Sequence, residues 1–191
     1  MQTLYTQLTH YVPQNEQEQR DLPLLLYHVA HSPDVFTRRN EVAHFTASAW
    51  VVDPARTHVL MAYHKIYASW AWLGGHADGE TDLTVTALRE AKEESGLAEV
   101  KLLSSEPLSI EILPVNGHEK KGIYVPSHLH LNVTYLLEAD PAAPIRNQPA
   151  ENSKVGWIPV EQIERYSTEA WFCNRIYPKL NRRVQREFGN G

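Results

Sequence analysis

The chain has 191 residues, 42% of them apolar, which is one ordinary domain with length to spare and enough apolar material for a real core. Its 18 basic and 23 acidic side chains leave a net charge of −5 with neutral histidines. That balance argues against a long nucleic acid or an anionic membrane as partner, but not against a small anion held through a cation. Residues 1–19 lack the cationic stretch and apolar run of a signal peptide. No apolar run approaches the ~20 residues that span a bilayer. A soluble, cytoplasmic protein is expected.

The first 40 residues read as short helices. Tyr5, Leu8 and Tyr11 recur at helical spacing, and Pro13 breaks the pattern. Asn15 with Glu18 three residues later resembles a capping box, although Pro23 offers a second starting point for the helix that carries Leu22, Leu25, Leu26 and Val29. Ser32-Pro33 is a further helix start by the same criteria. From His44 the texture changes. Residues 45–52 read as a strand ending at Asp53-Pro54, and 59–63 as its hairpin partner. Residues 70–73 run into Gly74-Gly75. A helix is predicted over 82–95, closed by Gly96. Strands are expected at 110–113, 130–137 and 154–158. A helix should open at Pro159, and a terminal helix is expected over 169–188, kinked or divided by Pro178. The one cysteine, Cys173, excludes an internal disulfide; beside Trp171 and Phe172 it reads as a small buried hydrophobe rather than a nucleophile. The pattern predicts a layered α/β domain over 43–191 with a helical extension over 1–42.

The chemistry concentrates in residues 74–97. Residues three and four apart on a helix share a face, so Leu83, Ala87, Leu88 and Ala91 make an apolar side. Glu90, Glu93 and Glu94 gather within one turn, and Arg89 reaches Glu93 at i+4. Three carboxylates so placed repel each other, at the helix end where negative charge is least favoured. A solvated acidic face is one reading. The other is a hard divalent cation, since Mg²⁺ and Mn²⁺ bridge carboxylates to substrate phosphates.

With Gly75 ahead of it, Arg89-Glu90-Ala91-Lys92-Glu93-Glu94-Ser95-Gly96-Leu97 resembles the second half of the Nudix box, whose pattern is Gly, five residues, Glu, seven residues, then Arg-Glu-U-x-Glu-Glu-x-Gly-U with U aliphatic. The first glutamate falls at Thr81, with Glu80 one position early. The box covers 23 of the 191 residues. The resemblance implies an α/β/α sandwich with a mixed sheet. It implies an enzyme that hydrolyses the diphosphate linkage of a nucleoside diphosphate derivative with Mg²⁺ or Mn²⁺. By position, Glu90, Glu93 and Glu94 would bind metal, Arg89 would orient a glutamate, Gly75 would shape the loop, and Glu93 or Glu94 would act as base. A nucleotide-sensing module without turnover is an alternative, as is an enzyme like isopentenyl-diphosphate isomerase. The second needs a cysteine near the cleft, and Cys173 lies far along the chain. A homodimer is common in the family, and the N-terminal helices are a candidate interface.

Outside the box, Glu151 precedes the Trp157 strand and ranks first as an auxiliary ligand or base, ahead of Glu119 in a polar loop and Glu111 in a strand. For each, an ordinary solvated carboxylate is the competing reading. His76 sits in the box loop, where it can touch phosphate. Tyr67 and Trp70 are candidates for stacking on a base, while Trp50 and Trp72 read as core. His128 and His130 share a strand face, but no third ligand is evident from spacing, so structural or substrate-contacting roles are expected. His44 has no evident partner.

Overall fold

The computed structural model describes residues 3–65, 68–120, 122–150 and 152–189. Its first helices form where the sequence supplies caps. In α1 (Leu4–His10) the Thr3 hydroxyl accepts the Thr6 amide, and in α2 (Glu16–His31) Asn15 Oδ1 accepts the Glu18 amide at 2.9 Å. Glu18 turns elsewhere than a capping box requires: its carboxylate accepts the Gln14 amide at 2.7 Å. Pro23 lies inside α2, so the cap at Asn15 decides where that helix starts. No helix follows Ser32-Pro33. Ser32 is the extended C-cap of α2 and Asp34 adopts a left-handed φ of 55°, which sends residues 33–39 through turns.

Among the described residues ten strands follow: β1 (Ala43–Val52), β2 (His58–His64), β3 (Ser69–Ala71), β4 (Leu73–His76), β5 (Lys101–Leu102), β6 (Ser109–Val115), β7 (His118–Lys120), β8 (Ile123–Val125), β9 (His128–Glu138) and β10 (Asn152–Pro159). Eight of them make one sheet along the path β10-β2-β1-β9-β5, with β3 on β2, β4 on β1 and β6 on β9. The central pair, β1 and β9, is parallel over ten residue pairs from Ala43↔Leu129 to Val52↔Glu138, and the other pairs are antiparallel. The sheet is therefore mixed. The stretch around Glu119, expected as a polar loop, instead forms β7 of the small β7–β8 hairpin.

Side chains alternate across a strand, and β1 is buried from end to end, so both faces must be covered. Phe45, Ala47, Ala49 and Val51 face a core shared with Leu83, Ala87 and Ala91 of α3 (Leu83–Ser95) and with Leu4, Leu8 and Leu25 of the first two helices. Trp50 and Val52 face a second core built with Ile163 of α4 (Ile163–Tyr166) and with Tyr177, Leu180 and Val184 of α5 (Tyr177–Phe188). This is the α/β/α sandwich expected. Trp50 and Trp72 are core residues, as read from sequence. Gly96 ends α3 in the left-handed conformation, φ 70°, that glycine adopts without penalty.

The terminal helix is divided ahead of Pro178, as its sequence suggests. Residues Phe172–Ile176 form a π-helical turn, with the Tyr177 amide bonded back to Phe172. The wider turn relieves a proline that has no amide and whose ring crowds the preceding carbonyls. Cys173 is half-buried beside the second core, its thiol 3.5 Å from the Ser167 carbonyl.

The second face of the sheet changes character along its length. Past Trp50 it becomes polar: Ser48 and Thr46 donate to Asn132 Oδ1, and Asn132 Nδ2 donates to Glu111 at 2.9 Å. Glu111 is buried against Lys179 of α5 at 2.9 Å, and Lys179 also meets Glu18 of α2 at 2.9 Å and Gln17 Oε1 at 2.9 Å. Burial pulls the Lys179 pKa down, but the two carboxylates and their hydrogen bonds outweigh it and hold the ammonium above its ordinary value. This network fastens the N-terminal helices to the C-terminal helix through the sheet. It also gives Glu111 a structural post, away from the auxiliary role considered for it.

Candidate active site

The acidic turn of α3 packs against the strand that precedes it. Glu94 is 2% exposed; its Oε2 accepts the Gly74 amide at 2.9 Å, and its Oε1 lies 3.9 Å from His64 Nε2. Glu90, one turn earlier, sets its carboxyl group against Gly75. A β-carbon at Gly75 would stand 2.5 Å from the Glu90 carboxyl carbon, so only glycine admits this approach. Two carboxylates are thus delivered to adjacent backbone positions, while Glu93 is exposed on the neighbouring face. It opens onto a pocket of about 460 Å³ lined also by Lys92, Gly96, Arg146 and Gln148.

Arg89 does not pair with Glu93, as i+4 geometry suggests. Its Nη2 donates to Glu90 Oε1 at 2.8 Å and to the His76 carbonyl at 2.9 Å. The side chain leans toward β4, where a strand carbonyl supplies a second acceptor that a helix surface lacks. The hydrogen bond to Glu90 raises the arginine pKa further. Asn152, buried at the start of β10, donates to the Glu94 carbonyl at 3.1 Å and accepts the Gln148 amide at 3.1 Å. It ties the end of the acidic turn to the loop that walls the pocket. An asparagine beside the favoured Glu151 gave no sequence signal of that function.

The loop between β4 and α3 is held from outside the box. Arg38 grips Asp78 through two bonds of 2.8 Å, Gly79 donates to the Phe36 carbonyl, and Phe36 stacks on Phe45. Glu80, one position early for the box, accepts the Asp82 amide at 2.8 Å and braces the helix start. The turns at 33–39 are thereby part of the site's support.

The remaining candidates separate. Trp70 is half-buried, edge-on to Tyr63 and Tyr166 and over Gly156, on the side that carries α4. Glu119 is exposed on the β7–β8 hairpin. Tyr67 and Glu151 lie outside the described residues. His76 does not stand alone: His44, His76, His128 and His130 converge, their ligand nitrogens all within 4.8 Å of one another. His44, without an evident partner in sequence, stacks on His128 with ring centroids 4.9 Å apart. The parallel pairing of β1 with β9 sets His44 opposite His130, and the antiparallel pairing of β4 brings in His76 opposite Thr46. Burial, reinforced by the neighbouring imidazoles, pushes the His130 pKa down to about 3, and burial also lowers that of His44.

The model of the NUDIX domain matches residues 42–180. The chain belongs to the Nudix family. Structural relatives of this Nudix domain include an Ap4A hydrolase from C. elegans, at 17% identity and TM-score 0.53, covering 74% of this chain and 95% of that one. A Nudix-family hydrolase from Clostridium perfringens follows at 21% and 0.50, covering 75% and 97%. A Nudix hydrolase from M. smegmatis gives 14% and 0.51, covering 75% and 84%. No curated protein matches in sequence. The chain thus stands among pyrophosphohydrolases, enzymes acting on phosphorus-containing acid anhydrides. Among the described residues, no helix is long and apolar enough to cross a membrane.

Proposed function

We propose that this Nudix enzyme cleaves the diphosphate linkage of a nucleoside diphosphate derivative, using Mg²⁺ or Mn²⁺ at the acidic turn of α3. One observation carries the reading: Glu90 and Glu94 are brought to adjacent positions of the Gly74–Gly75 backbone while Glu93 opens onto the pocket beside them. The donor set is all oxygen, which suits a hard divalent cation. Such a cation, when bound, supplies charge neutralisation for the diphosphate and an acidified water.

The chain's own residues do the rest. Arg89 fixes the orientation of Glu90 and ties it to the β4 carbonyl. The Gly74 amide and Asn152 fix Glu94 at both its carboxylate and its backbone. Glu90, Glu93 and Glu94 are the metal-binding set. Glu93 or Glu94 takes the proton of the attacking water, with Glu151 as auxiliary base or ligand. Lys92 and Arg146 give the pocket positive charge for phosphate oxygens. Tyr67 and Trp70 are assigned to the moiety beyond the diphosphate. Retention of all three box carboxylates favours turnover over sensing.

The test is product release from a panel of nucleoside triphosphates, ADP-ribose-like compounds, dinucleoside polyphosphates and non-nucleotide diphosphates, with Mg²⁺ or Mn²⁺. Glu93→Gln and Glu94→Gln should each lower turnover by about 10²-fold or more. Undiminished activity in both variants would overturn the residue assignment.

A further inference from the structure

The four-histidine cluster lies across β4 from the box carboxylates. Consecutive strand residues point to opposite faces, so Gly75 meets Glu90 while His76 turns to His44, His128 and His130. Two of the rings are held in one tautomer by backbone carbonyls, which can only accept. His44 Nδ1 donates to the Asn40 carbonyl at 2.9 Å, and His128 Nδ1 donates to the Pro126 carbonyl at 2.8 Å. Each neutral ring then presents an unprotonated Nε2. Such outer-shell bonds to the second ring nitrogen are how proteins orient imidazole ligands. His44 is 4% exposed, and its Nε2 is fully buried without a hydrogen-bond partner. His128 Nε2 and His130 Nε2 stand 3.2 Å apart. Nitrogens on a tetrahedral zinc-class ion, at ~2.0–2.1 Å from the metal, are separated by roughly 3.3–3.4 Å.

We propose that His44, His76, His128 and His130 bind one borderline divalent cation of the zinc class, at a site separate from the carboxylate centre. Imidazole nitrogens select such ions over Mg²⁺, which prefers oxygen. Four protein ligands leave no open position, the mark of a structural site. The cation would join β1, β4 and β9 at the polar end of their shared face. It would also fix the residue whose carbonyl holds Arg89. The His76 ring then serves this cation rather than the substrate phosphate.

Cobalt(II) is the direct probe. Chelator-stripped full-length protein, titrated with Co²⁺, should bind one equivalent with the intense visible absorption of a tetrahedral complex, and Zn²⁺ should displace it. Zn²⁺ should also raise the melting temperature, because it binds only the assembled site. The signal should persist in the Glu93→Gln/Glu94→Gln double variant, which separates this site from the proposed hydrolytic one. His128→Asn and His76→Asn should weaken Co²⁺ binding by roughly a hundred-fold, with far-UV circular dichroism unchanged. A pale octahedral spectrum in the wild-type protein, together with a melting temperature indifferent to stoichiometric Zn²⁺, would overturn the proposal without any variant having to fold. A tetrahedral signal that follows the glutamates rather than the histidines would overturn it equally.

Discussion

At Gly75 the absence of a side chain leaves the space that the Glu90 carboxylate occupies. Gly75→Ala should push that carboxylate aside, and because the displaced group is the end of a flexible side chain, the fold should stand. Turnover is expected to fall by about 10²-fold, the cost of a misplacement near 1 Å, with the melting temperature nearly unchanged. Steady-state kinetics beside a thermal melt check both halves. The close approach at this glycine falls inside the box, a local pattern that the sequence displays residue by residue. The Arg89 partner was not, since the i+4 rule sees only a helix surface and here the β4 carbonyl and Glu90 compete successfully for the guanidinium. His44 was illegible for a related reason: its neighbours come from β4 and β9, and no spacing along the chain encodes which strands lie side by side.

Elements were easier to read than their connections. Caps at Asn15 and Gly96 and the division ahead of Pro178 are written in local chemistry, and the helices begin or end accordingly. The clasp between α2, β6 and α5 is different, because Lys179 meets partners far away in sequence, at Glu18 and Glu111. Lys179→Met removes the only ammonium in that clasp among the described residues and strands two buried carboxylates. The loss should be about 3–5 kcal/mol, read from the midpoint of urea unfolding. The reading of Glu18 as a capping glutamate placed it correctly at a helix start but missed that its carboxylate bonds beyond its own helix, to Lys179.

Across the whole molecule, alkaline pH acts on several buried groups in the same direction. Burial raises the phenol pKa values of Tyr11, Tyr135 and Tyr177 above 10.0, and Lys179 is held above 10.5. Above about pH 10 the unfolded chain releases these protons while the native one keeps them. Fewer protons bound in the unfolded state means stability falls as pH rises. The Lys179 contribution is fully present below its unfolded value near 10.5 and is lost as pH rises through the higher folded value. Each retained phenol steepens the decline by about 1.4 kcal/mol per pH unit. Tyr135→Phe should therefore flatten the plot of unfolding free energy between pH 10 and pH 11, measured by denaturant titration at each pH, and an unaltered slope would refute the role given to this phenol.

The same clasp sets a timetable for a ribosome. Lys179 lies far downstream of Glu18, so the α2 carboxylate must wait for its cation until the whole intervening chain has been made. Until then α2 has a core to lie on but no latch. The native arrangement can lock only once α5 has left the exit tunnel, which makes α5 the part that seals α2.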